Sequence, residues 1–539
     1  MKKIRLVLII IVLFTSAFTI KASHYMGGEI VWECIPSGQP NAGKFIFTMK
    51  VYRECNGIAF GISQTLNSNS PAGAISLTEI TGWPKDISPV CNNNTSFPHI
   101  TCAGATTNNT GAIEEHIYRS GPITLNGIPP ASGWKFSWSS CCRNPAANVT
   151  NATSLGWYLR AIMYPYNSTN TYPCFDNSPT FAEKPRTVIC TGYPFTYNHN
   201  AYDKELDSLK FEWGQPMVSA GSALSFSGTY SYTNPLPGPT QNPLNVAAVV
   251  DQYTGTISFT SYTTGAYVTS TKVTAYKCGI KVAEIWRDMQ VVLLTCGTNA
   301  PPAVTPPFNN GTSFIDTVYV GEYVSFALQA SDFQFLPNGV PQTMQIEASG
   351  AQFGSFIAPV GVNQATFSDS VGCLNSPCAT LTPAPGPGYP LTAVMGISTN
   401  FEWQTTCDHL ATNIGCGTYS NVYNFVLKVS DDYCPAPAIS ISTVTIVVLP
   451  KPIVPTPDVK CVKVASNGDV ELEWNVAIDT MNTFVSYRIL SSTSLSDPFV
   501  LLDSIVDINQ NTYTHVGANA NVDTVYYILN TRSGCPEIY

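Results

Sequence analysis

The chain has 539 residues, a formal net charge of -9 and 11% charged residues, less than half the roughly 25% usual in soluble proteins. No basic stripe exists to displace phosphate counterions, which argues against a nucleic-acid partner. A chain rich in Gly, Pro and Tyr builds strands and turns, and this length divides into three or four domains of about 150 residues each.

Lys2, Lys3 and Arg5 precede an apolar run over 6–20, and Ala22 offers a small residue for cleavage. This predicts a secretory signal peptide over 1–22, too short to be a membrane span, with no lipid-accepting Cys at the cleavage point. No later run is long and apolar enough to cross a bilayer, so the mature chain is expected to lack a transmembrane span. Seventeen cysteines in an exported chain imply a disulfide framework whose pairing cannot be read from spacing. The odd total leaves one thiol over. Cys407 and His409 are close, but no third and fourth zinc ligand accompanies them.

Residues 23–177 read as a Cys-rich β-sandwich domain with strands over 29–34, 44–53, 74–80, 134–139 and 157–164. The polar loop 92–109, bracketed by Cys91 and Cys102, is expected to be a stapled contact surface. Neighbouring Cys141 and Cys142 are expected in two separate bridges, because a ring between adjacent residues strains the peptide. Glu114 and Glu115 occupy consecutive strand positions and so point to opposite faces.

In 178–299 three acids alternate, Asp203, Glu205 and Asp207, directly before the alternating Leu209, Phe211 and Trp213. A loop that curls brings alternate oxygens to one side, the arrangement a hard cation such as Ca2+ needs; the competing reading is a solvated turn. The pattern echoes at Phe326, Leu328, Ala330 and Asp332, followed by an insertion over 334–342. Each copy closes with a strand pair, 272–277 with 285–296 and 423–431 with 439–449. Pro-rich linkers follow at 300–307 and 450–457, which neither continue a ladder nor form helix. A period this long means tandem domains, 178–299 and 300–452, not a solenoid. In 453–539 Val470, Leu472 and Trp474, then Tyr487 and Ile489, alternate as in a small β-sandwich. That segment reads as incomplete, the front of a longer protein. The expected fold class is all-β, with tandem immunoglobulin-like β-sandwich domains.

Several motifs together carry a family resemblance: Ser23-His24-Tyr25-Met26-Gly27-Gly28-Glu29-Ile30, Val51-Tyr52-Arg53-Glu54-Cys55, Ser137-Trp138-Ser139-Ser140-Cys141-Cys142-Arg143-Asn144, Asn177-Ser178-Pro179-Thr180-Phe181 and Glu284-Ile285-Trp286-Arg287-Asp288. The chain resembles bacterial surface proteins associated with gliding motility and type IX secretion. Its middle domains are similar to cadherin-like or PKD-like repeats, and its last to a fibronectin type III domain. The resemblance implies a secreted or cell-surface location, attachment to the cell envelope through a carboxy-terminal sorting domain lacking here, and calcium at Asp203, Glu205 and Asp207. No alternate acids follow Asp332, so no calcium site is implied there, and Asp431 with Asp432 reads as a solvated turn. Asp-Ser or Asp-Thr followed by an apolar residue, at Asp207, Asp316, Asp369, Asp479, Asp503 and Asp523, resembles the O-glycosylation acceptor of such bacteria.

No nucleophile elbow, metalloprotease helix or phosphate loop is present, and the six histidines are scattered. The chain is therefore expected to be no enzyme but an adhesin-like or structural protein whose partners are an extracellular protein or polysaccharide. The other reading makes it the ancillary front of a secreted hydrolase with its catalytic domain beyond residue 539. Trp83 and Trp157 would be the sugar-stacking candidates.

Overall fold

The computed structural model describes residues 25–89, 91, 100–103, 112–166, 174, 176–185, 188–413, 417–434 and 436–535, with 412–413 and 417–419 as backbone only. The expected signal peptide, His24, His99 and most of the 92–109 loop lie outside these residues.

Alternating apolar and polar residues set the first eight strands: β1 Tyr25–Cys34, β2 Phe45–Glu54, β3 Ser63–Ser68, β4 Ile75–Glu79, β5 Lys85–Asp86, β6 Ile113–Ser120, β7 Trp134–Cys141 and β8 Gly156–Met163. Their hydrogen bonds run β1-β2-β6-β4-β3-β7-β8, with the short β5 on the flank of β6. The ring is completed by a strand far along the chain, Ile280–Leu294, which pairs with both β8 and β1. β1, β2, β6, β4, β3, β7, β8 and this return arm are thus the staves of a closed barrel, which has no free edge. Its interior is filled by Trp32, Phe47, Phe136, Trp157, Leu159 and Ile285. Each such side chain contributes about 1.5–3 kcal/mol by leaving water.

The return arm is shared. One edge pairs along its length with the outgoing arm Gly265–Lys277. The other edge serves three partners in turn: residues 283–285 meet β8, residues 287–289 meet β1, and residues 292–294 meet the parallel strand Val188–Cys190. Beyond the barrel, Met289, Val291 and Leu293 pack on Phe195, Ile257 and Phe259. Those belong to a three-stranded sheet of Pro194–Asn198, Thr256–Thr260 and Val246–Val250, the second layer of a sandwich. The barrel and the second unit therefore hold one strand in common. The sandwich expected over 23–177 is corrected to a barrel, and the sheet runs across the boundary drawn at 177/178.

The third unit is a sandwich with its own core around Leu328, Ile346, Phe401, Phe425 and Ile446. Its strand Leu391–Gln404 changes sheets, pairing first with Thr343–Ser349 and then with Tyr323–Asp332. The change falls at Met395, whose φ is 66°. In the preceding linker, Ala303–Thr305 does form a strand, bonded to residues 329–331, contrary to the expectation that its prolines forbid one. The fourth unit packs two three-stranded sheets over Trp474, Tyr487 and Ile489.

Bridges join Cys34 to Cys174, Cys55 to Cys102, Cys190 to Cys296 and Cys373 to Cys378. Two others span units, Cys91–Cys434 and Cys407–Cys535. Cys91 and Cys102 thus do not staple their loop to itself. Cys141 and Cys142 are bonded to each other, across a cis peptide that brings their Cα atoms to 3.1 Å, which corrects the expectation of separate bridges. Among the described residues Cys461 is the free thiol, and it is exposed.

Because the barrel borrows its closing stave, a fragment of residues 25–177 should lack cooperative thermal unfolding and near-ultraviolet circular dichroism, whereas residues 25–299 should show both. A cooperative transition in the shorter fragment would contradict the shared strand.

Candidate functional site

The acidic loop lies between Ala201–Tyr202 and Ser208–Trp213. Asp203 Oδ1 accepts the backbone N–H groups of Glu205 at 2.9 Å and Asp207 at 3.1 Å, so the aspartate organises its own turn. Leu206 takes a left-handed conformation with φ 58°, which completes the curl. The structure brings Asp203 and Glu205 together, leaves the third expected residue, Asp207, out of the group and adds a carboxylate the pattern did not reveal, Asp176. One oxygen from each of Asp176, Asp203 and Glu205 lies within 4.8 Å of the others. Asp207 is turned to Lys277, whose Nζ donates to its Oδ1 at 3.0 Å and stands 3.8 Å from Asp176 Oδ1.

Asp176, Asp203 and Asp207 are all buried, so the site concentrates four carboxylates around one ammonium. Neither oxygen of Asp176 accepts a hydrogen bond among the described residues, nor does Asp203 Oδ2. Leaving such atoms in a dry interior costs several kcal/mol unless a cation or proton meets them. Burial, then the charges of Asp203 and Asp207, push the Asp176 carboxyl far up; burial, then Glu205 and Asp207, do the same to Asp203. For Lys277 burial works against the charge, but Asp176 and Asp207 outweigh it and hold the ammonium above its ordinary value. All the offered atoms are hard oxygens, the donor set that Ca2+ takes and that zinc sites do not favour. These residues could hold such a cation.

Beside the loop a cleft of about 610 Å³ opens between the second and third units, with Tyr202, Asp203, Asp207, Tyr276, Asn421 and Tyr423 in its lining. The units also touch directly, as Thr196 Oγ1 donates to the carbonyl of Ile441 and Phe195 and Tyr197 pack against Val426.

The motifs that carried the family resemblance converge on the barrel seam. Gly27 has φ 150°, and a Cβ there would stand 2.2 Å from the carbonyl oxygen of Asp288. Glu29 and Arg287 form a buried two-pronged ion pair, with Nη2 to Oε1 at 2.8 Å, and Arg287 lies over the Phe181 ring. Arg143 is fully buried, 3.8 Å above the Trp157 ring, and donates to the carbonyls of Gly156 and Met217. Trp157 is therefore core, not a sugar platform, and Trp83 is half-buried beneath Lys85.

The described histidines are engaged in bonds within the fold. His116 bridges Glu79 at 2.6 Å and Glu114 at 2.7 Å, His199 meets Thr271 and Arg287, His409 meets Thr406 and Gln352, and His515 meets Tyr527. Glu114 and Glu115 do face opposite ways, one to Arg53 and His116 and the other to Trp83. Cys55, Cys102 and Glu114 also cluster, but the two sulfurs are bonded to each other. The hydroxyl residues after the six aspartates, Ser208, Thr317, Ser370, Thr480, Ser504 and Thr524, are all exposed.

No family model and no curated protein matches the chain. Solved structures to which it is similar include the chicken CNTN1 FN1-FN3 domains, at 10% identity over 67% of this chain and 95% of that one, with a TM-score of 0.14. Another is the N-terminal four Ig domains of Dscam1 isoform 6.44, at 8% identity over 78% and 91%, with a TM-score of 0.12. A third is Drosophila N-cadherin EC1-4, at 11% identity over 84% and 92%, with a TM-score of 0.16. The all-β assignment, a barrel followed by β-sandwich units, rests on the strand pairing described above.

The folded-state carboxyl values of Asp176 and Asp203 lie above those of an unfolded chain, near 4. Without a cation the native state then keeps protons that the unfolded chain has released, so stability is full below about pH 4 and falls as pH rises toward neutrality. Thermal midpoints measured in chelator from acid to neutral pH should decline on that side. Lys277→Met, which strips the site of its ammonium, should cost about 3–5 kcal/mol in chelator at neutral pH by denaturant titration.

Proposed function

We propose that the chain is a non-catalytic, exported surface protein that presents binding faces on stacked β-domains to an extracellular protein or polysaccharide. The observation that carries this reading is covalent: Cys91–Cys434 closes 343 residues and Cys407–Cys535 closes 128, tying the first unit to the third and the third to the fourth. A structural bridge of this kind is stable in oxidising compartments and lost in reducing ones. A load between the barrel and the last unit passes through sulfurs from Cys91 to Cys434 and from Cys407 to Cys535, bypassing most of the intervening chain. That property suits a protein that must hold a surface away from a cell under shear. The motif resemblance supports a finer reading, a bacterial cell-surface protein of the gliding-motility and type IX secretion kind. The exposed Asp-Ser and Asp-Thr hydroxyls suit glycan attachment, and calcium at Asp176, Asp203 and Glu205 would stiffen the loop beside the cleft.

The test is made on cells. Protease added to intact cells should release fragments of the chain, and deletion of its gene should weaken attachment to polysaccharide-coated glass. Unchanged attachment, with loss of a hydrolytic activity toward that polysaccharide, would instead make the chain part of an enzyme. For the metal, calcium should raise the thermal midpoint of the purified chain, and Asp203→Asn should remove most of that gain. A wild-type midpoint indifferent to calcium rejects the assignment.

A further inference from the structure

The second and third units build the same turn from different charges. In the second, Asp203 Oδ1 accepts the N–H of Glu205, and Glu205 accepts the backbone N–H of Asn177, the residue after Asp176. In the third, Asp332 Oδ1 accepts the N–H of Gln334 at 2.9 Å, and Gln334 Oε1 accepts the backbone N–H of Ala300 at 2.9 Å, the residue after Asn299. The first arm of each closing hairpin ends beside its turn, with Lys277 in one unit and Asp431 in the other. Asn299 thus stands where Asp176 does, Gln334 where Glu205 does, and a carboxylate where the second unit has its ammonium. Gln342 enters after the insertion, its backbone N–H bonded to the carbonyl of Gln334 at 3.0 Å.

We propose that Asp332, Asp431, Asn299 and Gln342 form a second divalent-cation site of the calcium type. It shares no side chain with the first, so the two stand or fall separately. Asp332, Asp431, Asn299 and Gln342 are each more than nine-tenths buried. Asp332 Oδ2 and Gln342 Oε1 accept no hydrogen bond among the described residues, although each belongs to a strong acceptor. The rest of the cluster is chained together: Gln342 Nε2 donates to Asn299 Oδ1 at 2.6 Å, and Asn299 Nδ2 donates to Asp431 Oδ2 at 2.6 Å. Asp431 Oδ1 is held by the N–H groups of Tyr433 at 3.0 Å and Ala438 at 2.9 Å. No lysine or arginine pairs with either aspartate among the described residues. Two carboxylates and two amide oxygens of one buried cluster suit a dication, because two negative charges neutralise it and amide carbonyls are themselves hard ligands.

The test is calcium titration by isothermal calorimetry on the full, oxidised chain stripped with chelator. Wild type should take two calcium ions, Asp332→Asn one and Asp203→Asn one, with the double variant taking none. Gln342→Glu adds a third carboxylate and should tighten the second site on the order of tenfold, a gain that misfolding cannot mimic. An unchanged stoichiometry in Asp332→Asn together with an unchanged affinity in Gln342→Glu overturns the second site. If Asp203→Asn still loses an ion in that case, the first site survives alone. A wild-type stoichiometry of one that Asp332→Asn abolishes and Asp203→Asn preserves keeps the second site and removes the first.

Discussion

The fold depends on the close approach of β1 to the return arm Ile280–Leu294. Gly27 is register partner to Met289 and Glu29 to Arg287, and only a residue without Cβ leaves room for the Asp288 carbonyl at Gly27. Once the backbones meet, the Glu29 and Arg287 charges are sealed together in the interior. Burial alone would disfavour both, but their mutual attraction outweighs it, and Glu29 stays ionised below its ordinary range. Lys50 and Tyr52 of β2 also reach the Glu29 carboxylate, so the buried guanidinium of Arg287 is the charge that depends on this pairing. The barrel is therefore closed by the strand that carries the matching guanidinium.

That seam also explains why motifs scattered through the sequence share a location. Tyr25, Arg143 and Asp288 act on one another electrostatically, and burial lowers the Arg143 guanidinium to about 10. Phe181 and His199 cover Arg287 from the second unit. These residues work by holding the first two units together.

The acidic turns share a backbone and differ in how they meet their charge. The second unit places an ammonium within a set of four carboxylates, and the third replaces three of the neighbours with amides or an acid. Both turns are bonded to the chain entering their unit, through the N–H of Asn177 in one and of Ala300 in the other. The disulfides tie other pairs of units covalently, Cys91–Cys434 the first to the third and Cys407–Cys535 the third to the fourth.

Alternation in the amino-acid sequence determined most strands, because burial on one sheet face imposes a period of two wherever it occurs. Ile439–Leu449, Val470–Trp474 and β8 fall where the pattern put them, and Trp474 points inward as expected. The acidic turn itself was legible, since an aspartate that caps its own turn needs only its near neighbours, but Asp207 faces Lys277 instead of joining Asp203 and Glu205. Partners were not legible. Alternation says that a strand has an inner face but not which strand lies beside it, so the barrel, its borrowed stave and the bridge between Cys141 and Cys142 were decided by the tertiary structure. The same limit hid Asp176 from the site of Asp203, and read Asp431 as solvated when the packing of the third unit buries it. Local physics writes itself into local sequence, whereas charge burial and strand pairing depend on residues brought together only once the chain has folded.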